Sequence, residues 1–154
     1  MNSRSSGLRP ILFAEDNPND VELTLAALQS ARLENEVVVV HDGGQALAWL
    51  RCTGVNAYRS PVPPAFILLD LKMPRVDGLA TLRAIRADPQ LRSTPVVILT
   101  SSREENDLVT SYHLGANAYV VKPVEFDRFI AAVSQLGVFW AELNEPAPAR
   151  QLTF

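Results

Sequence analysis

Five short runs of aliphatic and β-branched residues, separated by longer stretches of helical period, constrain this chain more than any other feature. The runs are Ile11–Ala14, Val37–Val40, Phe66–Leu69, Val96–Leu99 and Ala118–Val121. Each is almost continuously apolar, which is the pattern of a strand buried on both faces rather than on one. Between them the apolar residues recur at helical spacing. Val21, Leu25 and Leu28 mark a first helix, Ala46, Trp49 and Leu50 a second, and Leu79, Leu82 and Ile85 a third. Leu108, Val109 and Tyr112 mark a fourth, and Phe126, Phe129, Ile130 and Val133 a fifth. Pro18 stands just inside the first helix start and Gly115 just past the fourth helix end, where their backbone preferences place them.

Strands alternating with helices predict an α/β chain: a doubly wound, five-stranded parallel sheet with helices on both faces. Gly54–Pro64, with three prolines, reads as a surface loop before the third strand. The expected organisation is a flexible N-terminus over 1–9, one folded domain over 10–143 and an aperiodic tail over 144–154. A length of 154 residues suits one domain, and a hydrophobic fraction of 47% suits a substantial core. The net charge of -3 and the lack of a Lys/Arg cluster argue against nucleic acid as a partner. No apolar run is long enough to span a bilayer, the N-terminus lacks a signal-peptide core, and the lone Cys52 has no disulfide partner. These features predict a cytoplasmic protein.

In a doubly wound sheet, functional groups gather at the carboxyl ends of the strands. Here the first strand runs into Glu15 and Asp16, the third into Asp70, the fourth into Thr100 and the fifth into Lys122. Adjacent parallel strands would bring three carboxylates, a hydroxyl and an ammonium to one edge. Each residue alone is commonplace as a turn residue, helix cap or surface charge, so only their joint placement carries weight. Two carboxylates about 4 Å apart repel by roughly 4 kcal/mol at an effective dielectric of about 20, and one lysine does not balance three acids. A hard divalent cation with oxygen ligands completes such a set, and Mg2+ (or Mn2+) fits few carboxylates plus water better than Ca2+. His41, His113 and Cys52 lie off this edge, which argues against zinc. An aspartate beside such a cation can act as a nucleophile on phosphorus, with Thr100 and Lys122 holding the other phosphoryl oxygens.

The residues that carry this set, "FAEDNPND", "ILLDLKMPRVDG", "VVILTSS" and "GANAYVVKP", resemble the receiver domain of two-component response regulators over about Ile11–Val133. The resemblance implies a flavodoxin-like receiver fold. It implies Asp70 as phosphoacceptor, Asp16 as direct cation ligand, Glu15 as a ligand through water, and the Lys72 main-chain carbonyl as a further ligand. It also implies phosphoryl contacts from Thr100 and Lys122, Tyr119 as an aromatic switch coupled to Thr100, and a cis Lys122–Pro123 peptide. The "EDNPND" loop, the insertion before the third strand and the extended last helix resemble small receivers that partner phytochrome-type histidine kinases. The resemblance therefore implies as partners a sensor histidine kinase, of phytochrome type by the same likeness, and a downstream phosphotransfer protein. Output through protein contact at the fourth helix, fifth strand and fifth helix is expected, because few residues follow the last helix.

The last helical stretch continues through Leu136, Phe139, Trp140 and Leu143. An apolar stripe extending past the sheet suggests a homodimer contact at Phe139, Trp140 and Leu143, with Trp140 folded back on its own domain as the alternative. Gly137 is expected to weaken or kink this helix. The rival function is a Mg2+-dependent aspartyl phosphohydrolase. The haloacid-dehalogenase-like class needs an acid two residues after its nucleophile, and here that residue is Lys72. A receiver that has lost its chemistry is the other rival, and the complete residue set argues against it.

Overall fold

The computed structural model describes residues 8–122 and 125–145, without the side chains at 126, 142 and 143. Five strands, β1 (Ile11–Ala14), β2 (Val37–Val40), β3 (Phe66–Leu69), β4 (Val96–Thr100) and β5 (Ala118–Val121), alternate with five helices. These are α1 (Pro18–Ser30), α2 (Gly43–Arg51), α3 (Gly78–Ala87), α4 (Glu105–His113) and α5 (Phe126–Val138). The strands form one sheet in the order β2-β1-β3-β4-β5, every neighbouring pair parallel. This is the doubly wound architecture expected from the alternation. The chain order reverses at β1, so α1 and α5 fall on one face and α2 and α3 on the other.

The period-2 geometry of the strands divides the core between these faces. Leu12, Ala14, Ile67, Leu69, Val96 and Ile98 point toward Ala46, Trp49, Leu50, Leu82 and Ile85. Ile11, Phe13, Phe66, Leu68, Val97 and Leu99 point toward Ala27, Leu28, Phe129 and Val133. Because both faces are covered, β1, β3 and β4 are buried at every position, which explains their unbroken apolar sequence.

Local chemistry fixes the helix starts. Asn17 accepts from the Asn19 and Asp20 amides ahead of Pro18. Asp42 accepts from the Gln45 amide, and Asp77 from the Ala80 amide. Each satisfies donors that a helix N-terminus leaves open. The insertion after α2 makes a single 3-10 turn at Gly54–Asn56. It is then pinned by Arg59, which lies over the Trp49 ring 3.6 Å from its centroid and donates to the Trp49 carbonyl.

The fourth helix forms where expected, though with its apolar residues outward, and the expectation for Gly137 needs correction. Leu108, Val109 and Tyr112 do not face the sheet: they are 39%, 59% and 50% exposed, and Ser111 is the buried residue of α4. A short helix at the sheet edge has little apolar surface to cover it, so its small polar side sits inward. Gly137 does not interrupt α5. A Cβ there would stand 2.7 Å from Leu33 Cδ1 and 3.1 Å from Leu28 Cδ2, so the glycine admits close packing of the α1 end. The helix passes into a π-helical turn at Phe139–Leu143. That turn sends Phe139 and Trp140 to different surroundings. Phe139 is 46% exposed, whereas Trp140 leans on the α1/α5-side core and meets Phe139 edge to face. The Leu143 side chain, the Lys122–Pro123 bond and most of the expected terminal segments lie outside the described residues.

Candidate functional site

The carboxyl ends of β1, β3, β4 and β5 lie side by side, and the register brings the predicted set together. The Glu15 amide donates to the Val40 carbonyl and the Asp70 amide to the Ala14 carbonyl. The backbone therefore holds Glu15 and Asp70 on neighbouring strand ends. Carboxylate oxygens of Glu15, Asp16 and Asp70 lie within 4.8 Å of one another. Glu15 and Asp70 are buried, Asp16 is exposed, and the cluster thus opens to solvent on one side.

Lys122 enters from the end of β5, its amide donating to the Thr100 carbonyl at 2.8 Å. Its ammonium donates to Glu15 Oε1 at 2.6 Å and Asp20 Oδ2 at 2.8 Å, and lies 3.8 Å from Asp70 Oδ2. The sequence reading did not single out Asp20. It stands in the first turn of α1, where an acid is commonly explained by the helix dipole. Only the placement of α1 beside β5 turns its carboxylate toward Lys122.

Electrostatics follow from burial. Burial of the Glu15 carboxyl, with the Asp70 charge beside it, raises its pKa to about 7 against the opposing Lys122 hydrogen bond. Burial by itself would lower Lys122, but its hydrogen bonds to Asp20 and Glu15 carry it above its ordinary value.

Thr100 is fully buried at the end of β4, and its hydroxyl oxygen lies 3.4 Å from the Ser102 amide. The half-buried Tyr119 ring packs on the α2/α3-side core, and its hydroxyl donates to the Ser102 carbonyl at 3.0 Å. Burial raises the Tyr119 pKa. The tyrosine is thus tied to the loop that begins at Thr100. Lys72 is exposed in the loop after Asp70, between buried Leu71 and Met73.

The residues fit a divalent cation. Asp70 Oδ1 is buried with no hydrogen-bond partner among the described residues, a costly state for a carboxylate oxygen unless a cation or donor takes it. The donors around it are hard oxygens, the set that suits Mg2+ or Mn2+. Phe139 and Trp140 are at the opposite pole, where Trp140 helps line a cavity of about 170 Å³ with Leu8, Arg9 and Ala65.

A five-stranded parallel sheet with a buried aspartate, two further acids and a lysine at its strand ends defines a class of signalling domain. Residues 11–134 match the response regulator receiver domain model, and the chain belongs to that family. It is 34% identical to the response regulator Rcp1 of Synechocystis sp. over 142 residues, covering 92% of this chain and 95% of Rcp1. A structure of the bacteriophytochrome response regulator RtBRR is 58% identical, with a TM-score of 0.75 over 94% of this chain and 87% of that one. The phosphorylated cyanobacterial phytochrome response regulator RcpA is 36% identical, with a TM-score of 0.84 over 92% of this chain and 99% of that one. Rcp1 has also been solved in a Mn2+-bound form, with 32% identity and a TM-score of 0.83 over 91% of this chain and 99% of that one. The chain is therefore a receiver-domain response regulator related to phytochrome response regulators, and its acidic cluster supports divalent-metal binding. No helix among the described residues is long and apolar enough to cross a membrane.

Proposed function

We propose that this chain takes a phosphoryl group from a histidine kinase, of phytochrome type, onto Asp70. The observation that carries this reading is the Asp70 carboxylate itself: buried, with one oxygen unpartnered among the described residues, and grouped with Glu15, Asp16 and the Lys122 ammonium. An Asp70 oxygen forms the new bond to phosphorus while the phosphohistidine P–N bond breaks and the imidazole nitrogen keeps its electron pair. Glu15, Asp16, Asp70 and the Lys72 carbonyl would hold Mg2+ (or Mn2+), which when bound neutralises charge on the transferring group. Lys122 and the Thr100 hydroxyl hold phosphoryl oxygens, and Tyr119 follows the Thr100 loop as the switch. The product acts as a signal rather than a turnover intermediate, because Lys72 occupies the position where an aspartyl phosphohydrolase would carry its acid.

The phosphorylated chain then signals through protein contacts, with a phosphotransfer protein as one downstream partner, in the cytoplasm. Incubation with Mg2+ and acetyl phosphate should add the mass of one phosphoryl group, and an unchanged mass sinks the reading. Among purified histidine kinases, phytochrome-type kinases should transfer fastest.

The Glu15 environment predicts a pH dependence. A carboxyl raised from 4.5 to about 7 in the folded state binds its proton more tightly there than when unfolded. Its contribution to cation-free stability is present below about 4.5 and is lost as pH rises through about 7. Cation binding needs the ionised form, so affinity rises with pH by up to about tenfold per unit below about 7 and levels off above it. Mn2+ titrations across this range check the slope; an affinity independent of pH contradicts it.

The exposed Phe139 at the end of α5 supports a homodimer that packs through this helix end. Sedimentation should show a dimer that Phe139→Glu converts to monomer. A monomeric parent chain removes the proposal.

A further inference from the structure

The loop from Leu71 to Asp77, which follows Asp70 and contains Lys72, is tied to a second loop that the proposed chemistry does not use. Arg75 in this loop has a left-handed backbone, φ 62°, which a side-chain-bearing residue adopts only at a cost. Its guanidinium reaches across to Asp42, which stands in the turn after β2 and caps α2. Arg75 Nε donates to Asp42 Oδ2 at 2.9 Å, and a terminal nitrogen donates to the same oxygen.

Asp42 is 4% exposed, and its other oxygen accepts from the Gln45 amide. Both oxygens are therefore occupied. A backbone bond runs alongside, from the Gly43 amide to the Val76 carbonyl at 2.9 Å. Gly43 has no room for a side chain, since a Cβ would stand 2.7 Å from that same carbonyl. The β2–α2 turn also reaches the backbone of the acidic cluster, because His41 Nδ1 lies 3.1 Å from the Glu15 main-chain carbonyl oxygen. The strained Arg75 thus joins the Lys72 loop to a turn that abuts Glu15.

We infer that Arg75 and Asp42 form a positioning clamp that fixes the Lys72 loop against the acidic cluster and so tightens divalent-cation binding. This rests on the proposed cation site. A loop held by two fixed points presents its backbone carbonyls in one arrangement. A loop freed at Arg75 must be ordered when the cation binds, and affinity falls by that cost.

Two substitutions separate the clamp from ordinary stability. Arg75→Gly removes the guanidinium while relieving the left-handed strain. Asp42→Asn keeps a helix-capping side chain and removes the charge. In Mn2+ titrations read by electron paramagnetic resonance, each variant should bind about tenfold more weakly than the parent, within the range for outer-shell supports of metal sites. The double variant should be no weaker than either single one, because both delete the same pair. Arg75→Lys should fall between, since an ammonium keeps the charge without the planar fork. Cation-free thermal midpoints of Arg75→Gly and the parent should stay close. Tight binding by the parent and both single variants overturns the clamp while leaving the cation site standing. Weakening by Asp42→Asn alone also overturns it, because Asp42 would then act through its helix. A parent chain that binds no Mn2+ removes the cation site and the clamp together.

Discussion

Asp70→Asn should abolish covalent phosphorylation while leaving the fold intact. The substitution is isosteric and removes only the charge and the nucleophilic oxygen. With acetyl phosphate and Mg2+, the parent gains one phosphoryl group and the variant should remain at background. The conformational response to a beryllofluoride mimic should vanish with it, because the mimic also needs the carboxylate. Stability should move the other way. Asp70 is 5% exposed, carries an oxygen without a hydrogen-bond partner among the described residues, and adds to the charge pressing on Glu15. Removing that charge relieves a buried repulsion, so the cation-free thermal midpoint of the variant should be no lower than the parent's. Labelling of Asp70→Asn at the parent's rate would place the acceptor elsewhere. A lower midpoint would mean that the Lys122 attraction, at 3.8 Å from Asp70 Oδ2, outweighs the repulsion from Glu15.

The second large effect is on stability. Gly78→Ala in α3 should destabilise the chain by about 2–3 kcal/mol, as overpacking of a tight contact does. At this chain length that is roughly 5–10 °C in thermal midpoint. Helix propensity predicts the opposite sign, since alanine in a helix outscores glycine by about 1 kcal/mol. Packing overrides it. A Cβ at Gly78 would stand 2.2 Å from the Asp70 carbonyl oxygen and 2.7 Å from the Leu71 Cα. Both neighbours are backbone and cannot swing aside. The strain falls on the residue proposed to carry the phosphoryl group, so labelling of the folded variant should slow as well. Thermal melts of both proteins decide the sign. A midpoint within about 2 °C of the parent's would show that the contact relaxes freely.

The two glycines of this kind show where sequence reasoning stops. Gly43 and Gly78 stand at helix starts, where capping and turn chemistry explain a glycine well enough. Their real constraint is the approach of another segment's backbone, and no local pattern announces it. The same holds for Asp20, which is an ordinary first-turn acid until α1 is laid beside the end of β5. Arg75 and Asp42 are 33 residues apart, and their meeting depends on the β2–α2 and β3–α3 connections leaving the sheet on the same face. For α4 the pattern located the helix but not its buried side: its apolar residues face solvent because the sheet edge leaves them little to pack against.

What the amino-acid sequence determined by itself was the set of strands and the identity of the residues ending them. Runs apolar at nearly every position suit strands covered on both faces, and their alternation with helical stretches implies the doubly wound sheet. The parallel direction then collects Glu15, Asp16, Asp70, Thr100 and Lys122 at one edge, because every strand ends at the same pole. The tertiary structure decided how those groups share their charges. Lys122 lies closer to Glu15 and Asp20 than to Asp70, and one oxygen of Asp70 is left without a partner among the described residues. Periodicity records which side of an element is buried, but Coulombic and hydrogen-bond energies depend on distances between elements. Those distances exist only once the sheet order is set.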